Sequence, residues 1–252
     1  RVTDVTGVQT CALPISYKNK QTAMYEQFKN HGSLWKYNLD DHIKGYISGL
    51  NFTSEQKPLK WGFHNEHQDI CYVLPDSLLL PGDSIVINTP FEVILPPNSI
   101  SRLGEYNNTY QITQWYPKPA VFDKYGWHYF PYLDVGEFYS EFGTYDVYIT
   151  LPSNYTVGST GVLTDNQKEE QRLDSLVEVT KSILSERYKP AQIQYSPLGL
   201  KTLHFKQNNI HDFAWFADKN FLVLKDTMQL PNSGRTITLW SMFTVYSTEV
   251  YQ

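Results

Sequence analysis

The chain holds only 2 cysteines, Cys11 and Cys71, among 252 residues. Two thiols make neither a disulfide framework nor a zinc-finger spacing. There is no basic run and the formal net charge is -5, so a nucleic-acid partner is not expected. No apolar stretch approaches the roughly eighteen residues that a membrane-spanning helix needs. Neither a GxGxxG loop nor a Walker-type glycine run occurs, which removes the usual sequence support for a nucleotide site. GxSxG, the turn that presents a nucleophilic serine, is missing as well.

Zinc chemistry of the thermolysin type needs two histidines one helical turn apart with a glutamate between them. None of the 7 histidines (His31, His42, His64, His67, His128, His204 and His211) belongs to an HExxH. His64-Asn-Glu-His67 has a ligand-like spacing without a third ligand nearby, and reads as a polar loop between strands. His204 and the His211-Asp212 pair suggest a general base, but a nucleophile in a recognisable setting is lacking. Asp212 in a turn more simply satisfies backbone donors. Asp134, Glu137 and Glu141 supply carboxylates whose separation, the quantity that glycosidase chemistry depends on, the sequence does not fix. They read as a polar rim around aromatic residues.

What the chain does have is aromatic side chains, 15% of its residues, with 19 tyrosines. They crowd into QWYPKPAVFDKYGWHYFPYLDVGEFYSEFG, Gln114 to Gly143, which is broken by prolines at 117, 119 and 131. Rings on a proline-stiffened segment either fill a core or form a platform for a ligand. Trp115, Tyr116 and Trp127 are the candidates for contact with a peptide or with a neighbouring domain.

Around this segment the pattern is β-type. GYISGLNFT, PLKWGF, DICYVL, SIVINTPFEVIL, TYQITQWY and TYDVYITL read as strands, with Ile85, Ile87, Phe91, Val93 and Leu95 nearly alternating. YTVGSTGVL reads as the neighbour of TYDVYITL across the LPSN turn, and KTLHF, DFAWFA, NFLVL and RTITLWSMFTVYS as later strands. Thr22 to Trp35 suggests a short helix. The one long helix, near 166–188, places Leu173, Leu176, Val177, Thr180, Ile183, Leu184 and Tyr188 on one face. Asp165 would cap it, Pro190 would end it, and Glu169, Glu170, Asp174 and Glu178 would face water. The expected fold is mainly β, a sandwich with one surface helix. A carbohydrate- or peptide-binding β-sandwich without enzymatic activity is one functional reading of such a chain.

The first sixteen residues carry no periodicity that develops into an element. Val5 to Ile15, VTGVQTCALPI, resembles the translation of a short-read sequencing adapter, so residues 1–16 are expected to be an artefactual or disordered leader. Residues 17–39 then form a partial N-terminal segment, and 40–252 a β domain. Asn51, Asn107 and Asn154 sit in N-x-Thr glycosylation triplets, which matter only in a host that glycosylates.

Four blocks, QWYPKPAVFDKYGWH (114–128), GEFYSEFGTYDVYITLP (136–152), VGSTGVL (157–163) and HDFAWFADKNF (211–221), resemble the N-terminal domain of M1-family zinc metallopeptidases of the aminopeptidase N type, in the branch found in Bacteroidetes. That resemblance implies a saddle-shaped antiparallel or mixed β-sheet sandwich, truncated before a catalytic domain that would follow. It also implies zinc in the parent's catalytic domain and no cofactor in these residues. The expected partners are that downstream domain and a peptide substrate. The part seen would line the cleft and be inactive alone, and the periplasm or cell envelope would be its compartment, with the cytoplasm left open. In the family a Gln or Glu about ten residues before an F-P-C-like motif binds the substrate's α-amino group. Trp115-Tyr116-Pro117 resembles that motif, yet ten residues earlier stands Asn107. Gln111 and Gln114 are the substitutes, each with strand pairing as its other explanation.

Overall fold

The structure, a computed structural model, describes residues 6–9 (backbone), 20–136, 138–164, 166–185 and 199–244. These residues form a mainly β protein with several small antiparallel sheets and two α-helices. They divide into two compact units. The first comprises the described residues up to Asn107, Gln111–Gly143 and Asn209–Ala214. The second comprises Asn108–Tyr110, Thr144–Asn208 and the described residues from Trp215 onward.

In the first unit, Lys60–Phe63 pairs antiparallel with Cys71–Leu74. Alternation puts Cys71 and Val73 inward, where they pack with Phe52 and Leu59, and turns Tyr72 outward. Thr6–Gln9 adds a strand between Cys71–Val73 and Lys118–Pro119. The sequence announces no element there, because four residues are too few to show a period. The helix Ala23–Asn30 is capped by Thr22, whose hydroxyl accepts from the Tyr25 amide at 3.2 Å. Met24 and Phe28, four apart, are its buried stripe, and Tyr25 and Phe28 both pack on the Tyr37 ring.

The alternation from Ile85 to Leu95 does not become one strand. Only Glu92–Ile94 does, pairing with Tyr46–Ser48, while Asn88 forms an isolated bridge to Thr53. Pro90 has no N–H to give to a ladder and restricts Thr89 before it. Gly104–Tyr106 and Thr109–Ile112 form a hairpin whose turn, Asn107-Asn108, has φ of 50° and 64°. Two consecutive left-handed residues match the twist of a two-residue hairpin, and asparagine tolerates them.

In the second unit YTVGSTGVL is split, contrary to the single neighbour expected. Thr156–Ser159 pairs with Trp215–Asp218, whereas Val162–Thr164 pairs with Leu200–Ile210, which also flanks Gly143–Pro152. Gly161 makes the break: its φ is 87°, and a Cβ there would lie 3.1 Å from the Lys206 carbonyl oxygen. A long hairpin, Leu222–Gln229 with Thr236–Phe243, carries the second helix, Gln167–Ser185. Leu173, Leu176 and Val177 pack on Val223 and Met242 as the periodicity predicts. Each such fully buried aliphatic side chain contributes about 1.5–3 kcal/mol. Thr180 seals the contact by accepting the Val223 amide at 2.9 Å. Asp165 and Pro190 lie outside the described residues; Asn166 accepts from the Glu169 amide at 3.0 Å and so does the capping.

Glu169, expected in water, is buried. Arg172 and Lys201 donate to its Oε1 at 2.6 and 2.8 Å, and Arg172 also reaches Thr156. Burial alone would raise the Glu169 pKa, but the hydrogen bonds from Arg172 and Lys201 outweigh it and hold the carboxyl below its ordinary value. Because the folded value lies below the unfolded one, this group adds stability above the unfolded pKa of about 4.3 and loses it as pH falls through the folded value. Glu169→Ala is therefore expected to cost about 3 kcal/mol at pH 7, since two largely buried cations lose their carboxylate. Urea unfolding of both proteins from pH 7 to 3 checks this, with the gap expected to shrink below about pH 4.

Candidate binding surface

The aromatic segment of the first unit has an anchored side and an open side. Prolines 117, 119 and 131 fix its backbone φ. Trp115 packs on Phe91 with ring centroids 5.9 Å apart and meets Tyr116 edge-on at 5.3 Å. Its indole N–H donates to the carbonyl of Phe213 at 3.2 Å. The Tyr116 hydroxyl and the Lys118 ammonium both donate to Asp212 Oδ1, at 2.8 and 3.2 Å. Lys118 is only 3% exposed, and its Nζ stands 3.3 Å from the centroid of the Phe138 ring. Asp212 is thus a partner for buried side chains, not the backbone-turn residue its position suggests.

Two more grips hold the later part of the segment. Gln27, on the first helix, accepts from the amides of Asp134 and Val135 at 2.7 and 3.1 Å and donates to the Val135 carbonyl at 3.0 Å. Asp69, fully buried, accepts from the Tyr132 amide at 2.6 Å. Burial pushes the Asp69 carboxyl above its ordinary pKa, against the opposing pull of the Tyr132 and Asp69 amides and of His67 and His64.

Elsewhere along the segment, Phe122, Tyr125, Tyr129, Phe130, Tyr139 and Phe142 are each between 44% and 79% exposed. Val121–Asp123 and Gly126–His128 form a short hairpin. Asp123 Oδ1 accepts from the Tyr125 amide and from His128 Nε2, both at 2.8 Å. The His128 ring lies 6.0 Å from Phe130 and 5.6 Å from Tyr139. His128 donates first among the groups that hold Asp123 below the usual carboxylate range, followed by the Tyr125 amide.

The candidates named from the sequence fall mostly on the anchored side. Trp115 and Tyr116 are half-buried anchors, and Trp127 is half-buried against Phe122 at 4.9 Å. Gln114 is buried with a φ of 51°, and Gln111 is half-buried in the strand Thr109–Ile112. Asp134 and Glu141 are exposed; Glu137 lies outside the described residues. Asp123, His128 and Tyr139 are not among those candidates, although the Asp-x-x-Gly turn between alternating residues marks the hairpin that unites the first two.

The histidines do not assemble zinc chemistry. His64 and His67 stack 5.3 Å apart, but His64 Nδ1 already accepts the amides of Glu66 and His67 at 3.2 Å each. Among the described residues no group of three His, Cys, Asp or Glu is placed to hold a metal ion. His211 lies against Phe138 and Phe142 in the first unit. His204, in the second, instead joins Asp146 through Nε2 at 2.7 Å and Thr164 through Nδ1 at 2.6 Å, with the Tyr148 ring stacked at 4.1 Å. Thr164 Oγ1 also lies 3.1 Å from the His204 carbonyl oxygen, so this set reads as a cross-strand clasp.

Two substitutions test the anchors. Asp212→Ala is expected to cost about 3 kcal/mol in urea unfolding, with Lys118→Met in the same chain restoring part of it, because a buried ammonium without its carboxylate is the damaging state. For Asp69, a folded pKa above the unfolded one means stability that is present below the unfolded pKa and lost as pH rises through the folded value. Asp69→Asn keeps an acceptor for Tyr132 without the charge. Its urea midpoint is expected to exceed the parent's at pH 8 and to match it at pH 3.

Comparison with family models, with curated proteins and with solved structures gives no match for this chain.

Proposed function

We propose that this chain provides a non-catalytic β-domain that binds peptide on the exposed aromatic side of residues 122–142. The observation that carries this reading is the exposure of Phe130 and Tyr139, which meet on the His128 ring, in a segment otherwise held by Asp212 and Asp69. Soluble proteins seldom leave contiguous apolar area beyond a few hundred Å² exposed unless something binds there. Aromatic side chains on a rigid backbone also lose little entropy on binding and are enriched in interface cores. Asp123, Asp134 and Glu141 supply the polar groups that orient a ligand.

Peptide is favoured over carbohydrate by the ring geometry. A sugar platform presents flat, roughly coplanar faces. Here neighbouring rings meet at mixed angles, from 29° for His128 with Phe130 to 79° for His128 with Tyr139. Such a surface is not a single flat face.

A second reading is the N-terminal domain of a zinc peptidase, which would place its own catalytic domain or the peptide substrate against this surface. It is favoured by the meeting of three resembling blocks in the first unit. Residues 115–118 bond to 212–213, and Phe138 contacts Lys118 and His211. In this reading the zinc and its base would belong to other residues, and export to the cell envelope goes with it. Reading genomic DNA through both ends of this sequence decides it: HExxH followed by a distant glutamate supports it, and an in-frame stop just after Gln252 overturns it.

Calorimetric titration of the 252-residue chain with aromatic and aliphatic hexapeptides, and with cello- and chito-oligosaccharides, tests the principal reading. Peptide binding is expected, weakened about tenfold or more when Phe130 and Tyr139 are both changed to Ser, a loss of roughly 1.4 kcal/mol. Binding of glycans alone, or of neither ligand by well-folded protein, would overturn it.

A further inference from the structure

Within the exposed aromatic side, one carboxylate is held differently from its neighbours. Asp123 uses a single oxygen, Oδ1, for both of its hydrogen bonds, to the Tyr125 amide and to His128 Nε2. Among the described residues none donates to its second oxygen, Oδ2, and the side chain is 35% exposed. The adjacent cation, Lys124, lies instead over the Tyr125 ring, 4.8 Å from its centroid. The hairpin register puts Asp123 and His128 on the same face as buried Val121, with Phe122 and Trp127 on the other. That face continues through the His128 ring to Phe130 and Tyr139, both about half exposed.

A fixed carboxylate with one open oxygen, bordered by exposed rings, suits a cation with an apolar stem. Ring faces attract ammonium and guanidinium groups, by about 0.5–1 kcal/mol at exposed sites and more when water is excluded. Charge-assisted hydrogen bonds to a carboxylate are about twice as strong as neutral ones. The same unit already solves this problem internally, since Lys118 combines Asp212 with the face of Phe138. The net charge of -5 adds a field of the right sign.

We propose that Asp123, positioned by His128 and flanked by Phe130 and Tyr139, receives a lysine or arginine side chain of the bound peptide. This rests on the peptide-binding reading above and adds a charge preference to it.

The test compares two N-acetylated pentapeptide amides, Ala-Phe-Lys-Phe-Ala and the same sequence with norleucine in place of lysine, titrated into the whole chain. Acetylation removes the terminal amine, so only the side chain carries charge. The lysine peptide is expected to bind about tenfold more tightly at low salt, with the gap narrowing as ionic strength rises. Asp123→Asn keeps an oxygen for Tyr125 and His128 while removing the charge, and is expected to abolish the gap between the two peptides. Equal affinities in the parent protein would overturn this inference and leave the peptide reading standing. A gap that survives Asp123→Asn would overturn the role of Asp123. Binding of neither peptide would remove the peptide reading and this inference with it. The comparison on the parent chain decides the charge preference even if the variant fails to fold.

Discussion

A lysine ammonium taken out of water must find a carboxylate, and in the first unit that requirement is met by Lys118 and Asp212. Desolvating such an ion costs several kcal/mol even after relaxation, so Lys118 tolerates its buried position only where the partner is present. The partner comes from 94 positions away in the chain. Tyr116 shares the same carboxylate oxygen, Trp115 bonds the next carbonyl along, and Phe138 closes over the ammonium. The start of the aromatic segment is held at this junction, where Lys118–Pro119 also pairs with Thr6–Gln9.

The open rings make sense against that background. A segment stiffened by prolines and fastened by Asp212, Asp69 and Gln27 cannot fold its outer side chains into the core. Its exposed aromatics are therefore a fixed surface whose hydration is costly and whose ordering for a partner costs little. Trp115 and Tyr116, by contrast, bond to Phe213 and Asp212.

The elements were readable where the signal is local. The helix at Gln167–Ser185 has its Leu173, Leu176, Val177 and Thr180 stripe at helical spacing, and the alternation in Gly143–Pro152 gave a strand. The misread places share a cause. Ile85 to Leu95 alternates in composition, yet Pro90 withholds a donor that the pattern of apolar residues does not register. Glu169 looks like one of several solvent-facing acids, and only the arrival of Lys201 from a distant strand makes it a buried centre for two cations. Of the surface, the aromatic density and the prolines were plain in the letters; the Asp123–His128 pair and the division into anchored and open sides were not.

The sequence by itself determined the mainly β character, the two helices and the place where the rings concentrate, because periodicity, capping and turn chemistry act over a few residues. Tertiary structure alone decided which strands pair, splitting 156–164 between two partners, and which charges are buried. It also decided which aromatic rings are buried and which remain exposed. Those outcomes depend on contacts between residues tens of positions apart, where the desolvation of an ion or the reach of a ring is settled by what arrives opposite it.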